Sequence, residues 1–515
     1  MKKMKEALGY KKVFVKNTSL SAVQQAITVI VNILLLPYMV WHMGADNYGY
    51  WLILKLFGIG GYITLAEFGL YGSIVRYLTR YKTENNTGEF NRLYVSSLGL
   101  YFLIGLICAS AIILFAYYAL FTVFAIPNEL HDDMYSGLVL YGLVLLVQFP
   151  AFAVKAYYIS VNDFYHLKIW ESLNPVLFAA SIYILMHFAA DIKMIVATDV
   201  VVTVLLFALF LLLPYKLDKS YSLKLNYYSS ESIRNVSSLT YYIFLTKIIG
   251  LIYTSTPQII ISLTMLPKYM TYYHIVTRFP RIIKMIQTVG HSALLPLAVT
   301  LDTKREHLRN KRLFIRSTRY ALMIIGPILM FGLFYSDEII FVWMGSGFAW
   351  LGKFQFHFLI LQFLTVFISI GTAMYIKSAQ YREFLPYNIT AGLLYIVITT
   401  LNIDRLGIWS IIIGLYVTQA IIIIANYIVI QNTHRFSLKE YFNEAVKSPV
   451  LFGIAFCWAL LSVFESIKEA NNLSVLVIYA SLMLTAYIYA VYKYGLFEHE
   501  KAELSAILCG KEIKI

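Results

Sequence analysis

Three basic residues inside an apolar stretch are the side chains of this sequence best placed to do chemistry. Arg278, Arg281 and Lys284 follow one another at three-residue intervals between Tyr272 and His291. On a helix this spacing places the three cations along one slowly turning stripe. Hydrocarbon does not accommodate such a stripe. We therefore expect this helix to line an aqueous cavity, and we expect the cavity to hold an anion.

Other charged residues also fall inside apolar runs. Lys55 and Lys247 are basic, Glu67 is acidic, and Asp199 and Glu171 are further candidates near helix ends. A charge at the centre of a span costs about 2.5–3.5 kcal/mol, so five cations facing lipid would cost on the order of 15 kcal/mol. That exceeds the net stability of a typical domain. Because Glu67 neutralises at most one cation, we expect a cavity of net positive charge.

Local explanations stay open for several of these residues. Lys55 lies near the end of its predicted span and could extend its ammonium to the lipid headgroups. Glu67 could cap a helix or pair locally, and Asp199 and Glu171 are more typical of structural roles. The triplet around Pro280, which we expect to kink the helix, is harder to explain in this way.

Composition places these residues in a membrane protein. The 515-residue chain is 59% hydrophobic and 14% charged, whereas soluble domains are about 45–50% apolar and about 25% charged. Apolar runs of at least 18 residues recur along the chain, which predicts an all-α polytopic membrane protein with about fourteen transmembrane helices. Among the predicted spans are the second, third, seventh, eighth and tenth, at 47–72, 92–120, 238–264, 269–298 and 354–377.

The net charge of +14 indicates membrane topology and not nucleic-acid binding. Most of the excess cations lie in short loops, and every second loop is richer in Lys and Arg than its neighbours. This alternation predicts a multi-pass protein of the cytoplasmic membrane with both termini in the cytoplasm. The three cysteines and the spacing of His274 and His291 suggest neither a disulfide framework nor a metal site.

The chain divides into two similar parts. Asn17-Thr-Ser-Leu-Ser21 and Asn235-Val-Ser-Ser-Leu239 each precede a helix with a proline near its outer end. Each of these helices is followed by a second helix that bears cations. Two such repeats are typical of transporters, so we expect two pseudo-symmetric bundles around a central cationic cavity. The predicted domain limits are 1–214 and 238–402 for the bundles, 215–237 for a cytoplasmic linker, 403–497 for additional helices and 498–515 for the tail.

A sequence pattern near the N-terminus resembles a known family. Gly44-Ala-Asp-Asn-Tyr48-Gly49 fits G-x-x-x-Y-G, and the stretch from Glu67 to Arg76 fits E-x-G-L-x-x-x-x-x-R. Together they resemble polysaccharide flippases of the multidrug/oligosaccharidyl-lipid/polysaccharide exporter superfamily. The resemblance implies that the first, second, seventh and eighth helices line the cavity, and that the chain resembles the fourteen-helix members.

The resemblance and the cationic stripe lead to one expected function. We expect a flippase that carries polyprenyl-diphosphate-linked oligosaccharide across the cytoplasmic membrane by alternating access, for surface polysaccharide biosynthesis. The expected substrate-binding residues are Lys55, Lys247, Arg278, Arg281 and Lys284. Glu67 is a candidate for coupling to a proton or sodium ion.

The expected partners are the lipid-linked oligosaccharide and membrane lipids. We expect a monomer with no catalytic residue, cofactor, metal or bound nucleic acid. One alternative is a multidrug or organic-ion exporter of the same superfamily. A membrane glycosyltransferase or polymerase is a less favoured alternative, because the longest predicted outer loop, 336–353, contains only Asp337 and Glu338 as acidic residues.

Overall fold

The computed structural model describes most of the chain, and every regular element in the described part is helical. The described residues are 2–59, 61–67, 69–124, 126–188, 191–217, 221–229, 255–287, 307–375, 381–434, 438–447, 449, 451 and 473–495. The chain divides into two compact units. The first comprises residues 1–275 and 402–408, and the second comprises residues 276–401 and 409–515.

Long helices form nearly all of the described part of both units. In chain order, the first unit contains α1 (Lys2–Phe57), α2 (Leu70–Thr83), α3 (Thr87–Tyr118), α4 (His131–Ser160), α5 (Phe164–Leu185), α6 (Ile192–Leu212), α7 (255–264) and all but the last residue of α8 (Lys268–Val276). The second unit contains α9 (278–287), α10 (His307–Phe334), α11 (Ser336–Met344), α12 (Gly352–Tyr375), most of α13 (Tyr381–Leu406), all but the first residue of α14 (Ile408–His434) and α15 (Leu473–Ala490).

The membrane-spanning character of these helices agrees with the apolar runs of the sequence. Eight helical stretches among the described residues are long and apolar enough to cross a membrane. The expected all-α polytopic membrane fold is confirmed in this respect, while the predicted count of fourteen spans stays a prediction. One of the eight, Ser19–Thr64, is long enough to contain two crossings.

Gly44 divides that long stretch. Its φ of 79° is far from helical, in a backbone region that residues with a Cβ rarely adopt. The helical run Lys2–Phe57 is therefore two helices joined at a kink. The kink lies between the predicted first and second spans and inside the G-x-x-x-Y-G pattern.

The predicted second span, 47–72, is not one continuous helix. Regular α-helix ends at Phe57, a 3₁₀ segment runs from Tyr62 to Glu67, and α2 begins after Gly69, whose φ is 78°. A Cβ at Gly58 would overlap the ring of Tyr141. Apolar composition predicts that a stretch enters the membrane, but it does not reveal where glycine permits the helix to break.

The core of the first unit contains large aromatic residues. Tyr94, Tyr101, Tyr141 and Tyr158 are completely buried, and α4 packs against both α3 and α6. Side chains of the preceding loops cap two helices. Asn86 accepts the backbone N–H of Glu89 at the start of α3, and Asp163 accepts that of His166 at the start of α5.

The described part of the predicted linker is attached to the first unit. The Tyr221 hydroxyl donates to the Leu211 carbonyl at 2.8 Å and lies 3.0 Å from the Tyr94 hydroxyl. Burial raises the pKa of the Tyr221 phenol, which favours the protonated donor form. Further along, the Ser229 N–H donates to Ser96 Oγ at 2.7 Å. The linker limits 215–237 remain a prediction.

In the second unit, an apolar cluster connects α9, α10 and α12. Ile283, Phe314, Leu329 and Leu359 belong to this cluster and are buried. A polar contact lies beside it, because the Gln362 amide donates to Gln287 Oε1 at 2.8 Å. The cluster therefore packs one side of α9 against its neighbours, and α9 is the helix that carries the basic triplet.

Candidate functional site

Lys55 lies near the end of α1 against two aromatic rings. Its Nζ is 4.6 Å from the ring centroid of Trp51 and 5.3 Å from that of Phe178. The two rings are nearly parallel, with an interplanar angle of 10°. Such faces stabilise an ammonium ion through cation–π attraction, more strongly where water is excluded. Lys55 is half-buried and is therefore held on an aromatic surface inside a candidate span.

A buried carboxylate belongs to the same surroundings. Asp199, on α6, is 3% exposed and accepts a hydrogen bond from the Tyr141 hydroxyl at 3.0 Å. The positive charge of Lys55 acts on this carboxylate. The structure thus places Asp199, which the sequence marks only as a further candidate, within electrostatic range of one of the expected substrate-binding residues. Nothing in the sequence indicates a functional role for Tyr141, since many other tyrosines also lie in apolar runs.

Glu67 lies at the end of the 3₁₀ segment and is buried, with 4% of its surface exposed. Its Oε1 accepts the backbone N–H of Tyr71 at 3.3 Å, which is a local capping contact. The Tyr71 and Tyr101 rings each contact Phe152, at centroid distances of 6.0 and 5.8 Å. The charge of Glu67 acts on the hydroxyl groups of both tyrosines, and its role in ion coupling stays a prediction.

A second group of charges in the first unit contains a cation that the sequence analysis does not select. Lys155 Nζ lies 5.3 Å from the Trp170 ring centroid, and the charge of Glu171 acts on it. Glu171 also accepts from Lys168 Nζ at 2.7 Å. The signal for Lys155 is present in the sequence, because it interrupts the apolar run 149–159.

The basic triplet lies on α9, directly after a helix break. The break occurs at Thr277, whose carbonyl accepts the Arg281 N–H at 3.1 Å. Pro280 has no N–H to offer the carbonyl four residues earlier, which explains the interruption. Arg278 and Arg281 are half-buried, while Lys284 is exposed. Arg281 and Lys284 lie close enough for their like charges to repel.

The G-x-x-x-Y-G pattern has a structural explanation within the first unit. The Tyr48 hydroxyl lies 3.0 Å from His274 Nδ1, and Thr271 Oγ1 donates to the Ala45 carbonyl at 2.6 Å. A Cβ at Gly49 would overlap the carbonyl of Pro267. The pattern therefore permits α1 to approach the segment that contains α7 and α8 closely.

The expected site residues divide between the two units. Lys55 belongs to the first unit, whereas Arg278, Arg281 and Lys284 belong to the second. Lys247 lies outside the described residues. Among the residues that the structure describes, no group of three or more His, Cys, Asp or Glu side chains is arranged to hold a metal ion.

The sequence profile of a family described as "Polysaccharide biosynthesis protein" matches residues 64–352, which is more than half of the chain. The chain belongs to this family. The matched range contains Glu67, Asp199 and the basic triplet of this polysaccharide biosynthesis protein, and it begins nine residues after Lys55. A search of curated proteins gives no match.

Several solved transporter structures share the fold of this family member. Lipid II flippase MurJ, in an inward closed conformation, matches with a TM-score of 0.66 and 13% identity, over 93% of this chain and 99% of that chain. An inward-facing multidrug resistance MATE family transporter of the MOP superfamily matches with a TM-score of 0.65 and 11% identity, over 80% and 95%. The MATE multidrug transporter DinF-BH matches with a TM-score of 0.60 and 11% identity, over 83% and 97%.

The family match and the shared fold confirm the resemblance to this exporter superfamily. At these identities the structural likeness establishes the fold alone. It applies equally to flippase and drug-transporter structures, so the choice between those activities depends on the side chains of this polysaccharide biosynthesis protein.

Proposed function

We propose that this chain is a flippase that moves polyprenyl-diphosphate-linked oligosaccharide across the cytoplasmic membrane for surface polysaccharide biosynthesis. One observation carries the proposal: a member of a polysaccharide biosynthesis family has basic residues inside apolar stretches of its sequence. These are Lys55 on α1 and the triplet of Arg278, Arg281 and Lys284 on α9. A carrier of anionic headgroups would benefit from such cations, whereas a scaffold would gain nothing from them.

The chemistry of the headgroup fits these residues. A diphosphate cannot cross hydrocarbon unaided, because an isolated charge in a medium of low polarity is very costly. Arginine offers paired N–H donors to phosphate oxygens, and lysine offers a compact positive charge. In the proposal Arg278, Arg281, Lys284, Lys55 and Lys247 therefore bind the diphosphate.

The energy source in this proposal is electrochemical. The sequence has no G-x-x-x-x-G-K-[ST] phosphate-binding loop of the kind that ATP-driven transporters use. Moving a negative charge out of a negative interior gains about 2.3 kcal/mol per charge per 100 mV. Glu67 is the candidate for additional coupling to a proton or sodium ion.

The mechanism that we propose is alternating access by two helical bundles, at 1–214 and 238–402. The linker 215–237 connects the bundles, helices within 403–497 follow them, and both termini and the tail 498–515 lie in the cytoplasm. The protein works as a monomer and performs no covalent chemistry. The substrate moves between leaflets without a change in its bonds.

A multidrug or organic-ion exporter is the alternative, and the shared fold with MATE transporters is compatible with it. The charge of the candidate residues argues against export of cations, because Arg281 and Lys284 would repel a positively charged drug. A glycosyltransferase or polymerase is less favoured, since the predicted outer loop 336–353 is short and contains only Asp337 and Glu338 as acidic residues.

Reconstitution tests the proposal directly. The full chain is placed in liposomes with a panel of polyprenyl-diphosphate-linked glycans, and the glycan that reaches the outer leaflet is measured. We expect Arg278→Ala, Arg281→Ala and Lys247→Ala each to lower the rate about tenfold or more, because a charged hydrogen bond contributes about 1.5–3 kcal/mol. Arg312→Ala, at an exposed position near the start of α10, is the matched control and should retain the full rate.

Two results would contradict parts of the proposal. In the first, all three variants transport glycan lipids at the rate of the unmodified protein, which would exclude these basic residues as the binding site but not the flippase activity. In the second, the protein exports an organic cation and moves none of the glycan lipids, which would establish the alternative.

A further inference from the structure

Asp199 is a buried carboxyl group with one hydrogen-bonding side chain among the described residues. Its carboxylate accepts from the Tyr141 hydroxyl at 3.0 Å. Asp199 is 3% exposed and Tyr141 is completely buried. A carboxylate removed from water is costly unless an opposite charge compensates it. The charge that acts on it here is that of Lys55.

Tyr141 fixes the position of this carboxylate. The Tyr141 ring lies against the backbone at Gly58, where a Cβ would overlap ring carbon atoms. Gly58 follows Lys55 by only three residues, and its N–H donates to the Lys55 carbonyl at 3.3 Å. The hydroxyl that orients Asp199 therefore belongs to a side chain packed against the same turn of chain that carries Lys55.

Lys55 does not use its ammonium donors on Asp199. None of the salt bridges among the described residues joins Lys55 to Asp199. The Lys55 Nζ lies over the faces of Trp51 and Phe178 instead. Lys55 thus acts on Asp199 through space and not through a direct ion pair, and its ammonium group lies on the two aromatic faces.

We propose that Asp199, oriented by Tyr141, is the internal counter-ion of Lys55 and limits how tightly Lys55 holds the substrate's diphosphate. This inference rests on the proposed flippase function. A carrier has to release its substrate, and a site with cations alone would retain a diphosphate. The Asp199 carboxylate compensates Lys55 in the empty protein and repels the bound diphosphate, which weakens binding and speeds release.

A double-mutant cycle on the full chain tests this positioning role. Polyprenyl diphosphate without sugar is the probe, and its dissociation constant is measured with protein in lipid nanodiscs. We expect Asp199→Asn to lower the dissociation constant by on the order of fivefold or more, which is the lower end of the range for coupling between two sites. The same variant should turn over more slowly in the transport assay. Lys55→Gln should weaken binding. In the double variant the tightening caused by Asp199→Asn should be lost, because Lys55 is the charge that Asp199 moderates.

Tyr141→Phe gives a second, independent result, because it keeps the ring against Gly58 and removes only the hydroxyl. Without this hydrogen bond the Asp199 carboxylate can approach Lys55, so binding of the probe should weaken. This effect of Tyr141→Phe should require the Asp199 carboxylate. Asp132→Asn is the control for removal of one negative charge, since the Asp132 side chain is 84% exposed. It should leave the dissociation constant unchanged.

The possible failures are distinguishable. If the unmodified protein does not bind polyprenyl diphosphate, the proposed function fails, and the inference fails with it. If the protein binds the probe but Asp199→Asn leaves the affinity unchanged, or tightens it equally in the Lys55→Gln background, the inference is wrong and the proposed function stands. A purely structural role for Asp199 would lower affinity and stability together and would not produce Lys55-dependent tightening.

Discussion

Gly49 offers the sharpest test of how the G-x-x-x-Y-G pattern supports the fold. A Cβ at this position would overlap the carbonyl carbon and oxygen of Pro267, which are main-chain atoms. A flexible side chain could rotate away from a new methyl group, but a main-chain carbonyl between two helices cannot. We therefore expect Gly49→Ala to force α1 away from the segment that connects α7 and α8.

The size of the effect follows from the contacts that this separation disturbs. Overpacking costs typically 1–3 kcal/mol, and a rigid backbone neighbour places Gly49→Ala near the upper end. The hydrogen bond between Tyr48 and His274 contributes about 1 kcal/mol more if it breaks. The expected loss is about 2–4 kcal/mol, which in a unit of this size corresponds to a fall of about 4–8 °C in the melting temperature.

The assay is thermal unfolding of the purified protein in detergent, followed by intrinsic fluorescence. Gly347→Ala is the matched control, because a Cβ at Gly347 would meet nothing within 4 Å. It should melt within about 1 °C of the unmodified protein, as surface substitutions usually do. If Gly49→Ala melts together with Gly347→Ala, the close approach of these helices does not contribute to stability and our interpretation of the pattern is wrong.

Two further substitutions test other contacts. Asn86→Ala removes the side chain that caps α3, so it should lower the free energy of unfolding by about 1 kcal/mol, measured by the shift of the same melting curve. Glu171→Gln removes the counter-charge of Lys155 and the partner of Lys168. It should lower the free energy of unfolding by about 2 kcal/mol, which is less than the loss from breaking a fully buried pair. Glu84→Gln, at an exposed ion pair, is its control and should leave the melting temperature unchanged. Equal melting of the two glutamate variants would exclude a stabilising role for the Lys155 group.

Apolar runs alone were enough to predict most helices. The predicted third span, 92–120, corresponds to Thr87–Tyr118, and the predicted tenth, 354–377, corresponds to Gly352–Tyr375. Length and hydrophobicity decide whether a stretch can span hydrocarbon, so these two properties carry the prediction. They contain no information about the path of the backbone within the span. The break after Phe57 therefore appears only in the structure.

The candidate site is partly visible in the sequence, because a charge inside an apolar run is conspicuous. This signal selects Lys55 and the triplet on α9 without any knowledge of their contacts. Asp199 gives the same signal, but the sequence does not show that it acts together with Lys55. Asp199 lies far along the chain, and the tyrosine that orients it, Tyr141, is separated from it by 58 residues. Only tertiary packing brings these groups together.

The two units hold their cations in different electrostatic settings, and this difference has consequences for binding. Arg281 and Lys284 repel one another, so an anion that binds between them relieves an existing repulsion and gains from both charges. If Asp199 is the counter-ion of Lys55, as we propose, an anion gains less there. In the proposed flippase, the triplet on α9 should therefore contribute most of the affinity for the diphosphate. Lys55 should contribute more to its release, since its carboxylate partner competes with the substrate.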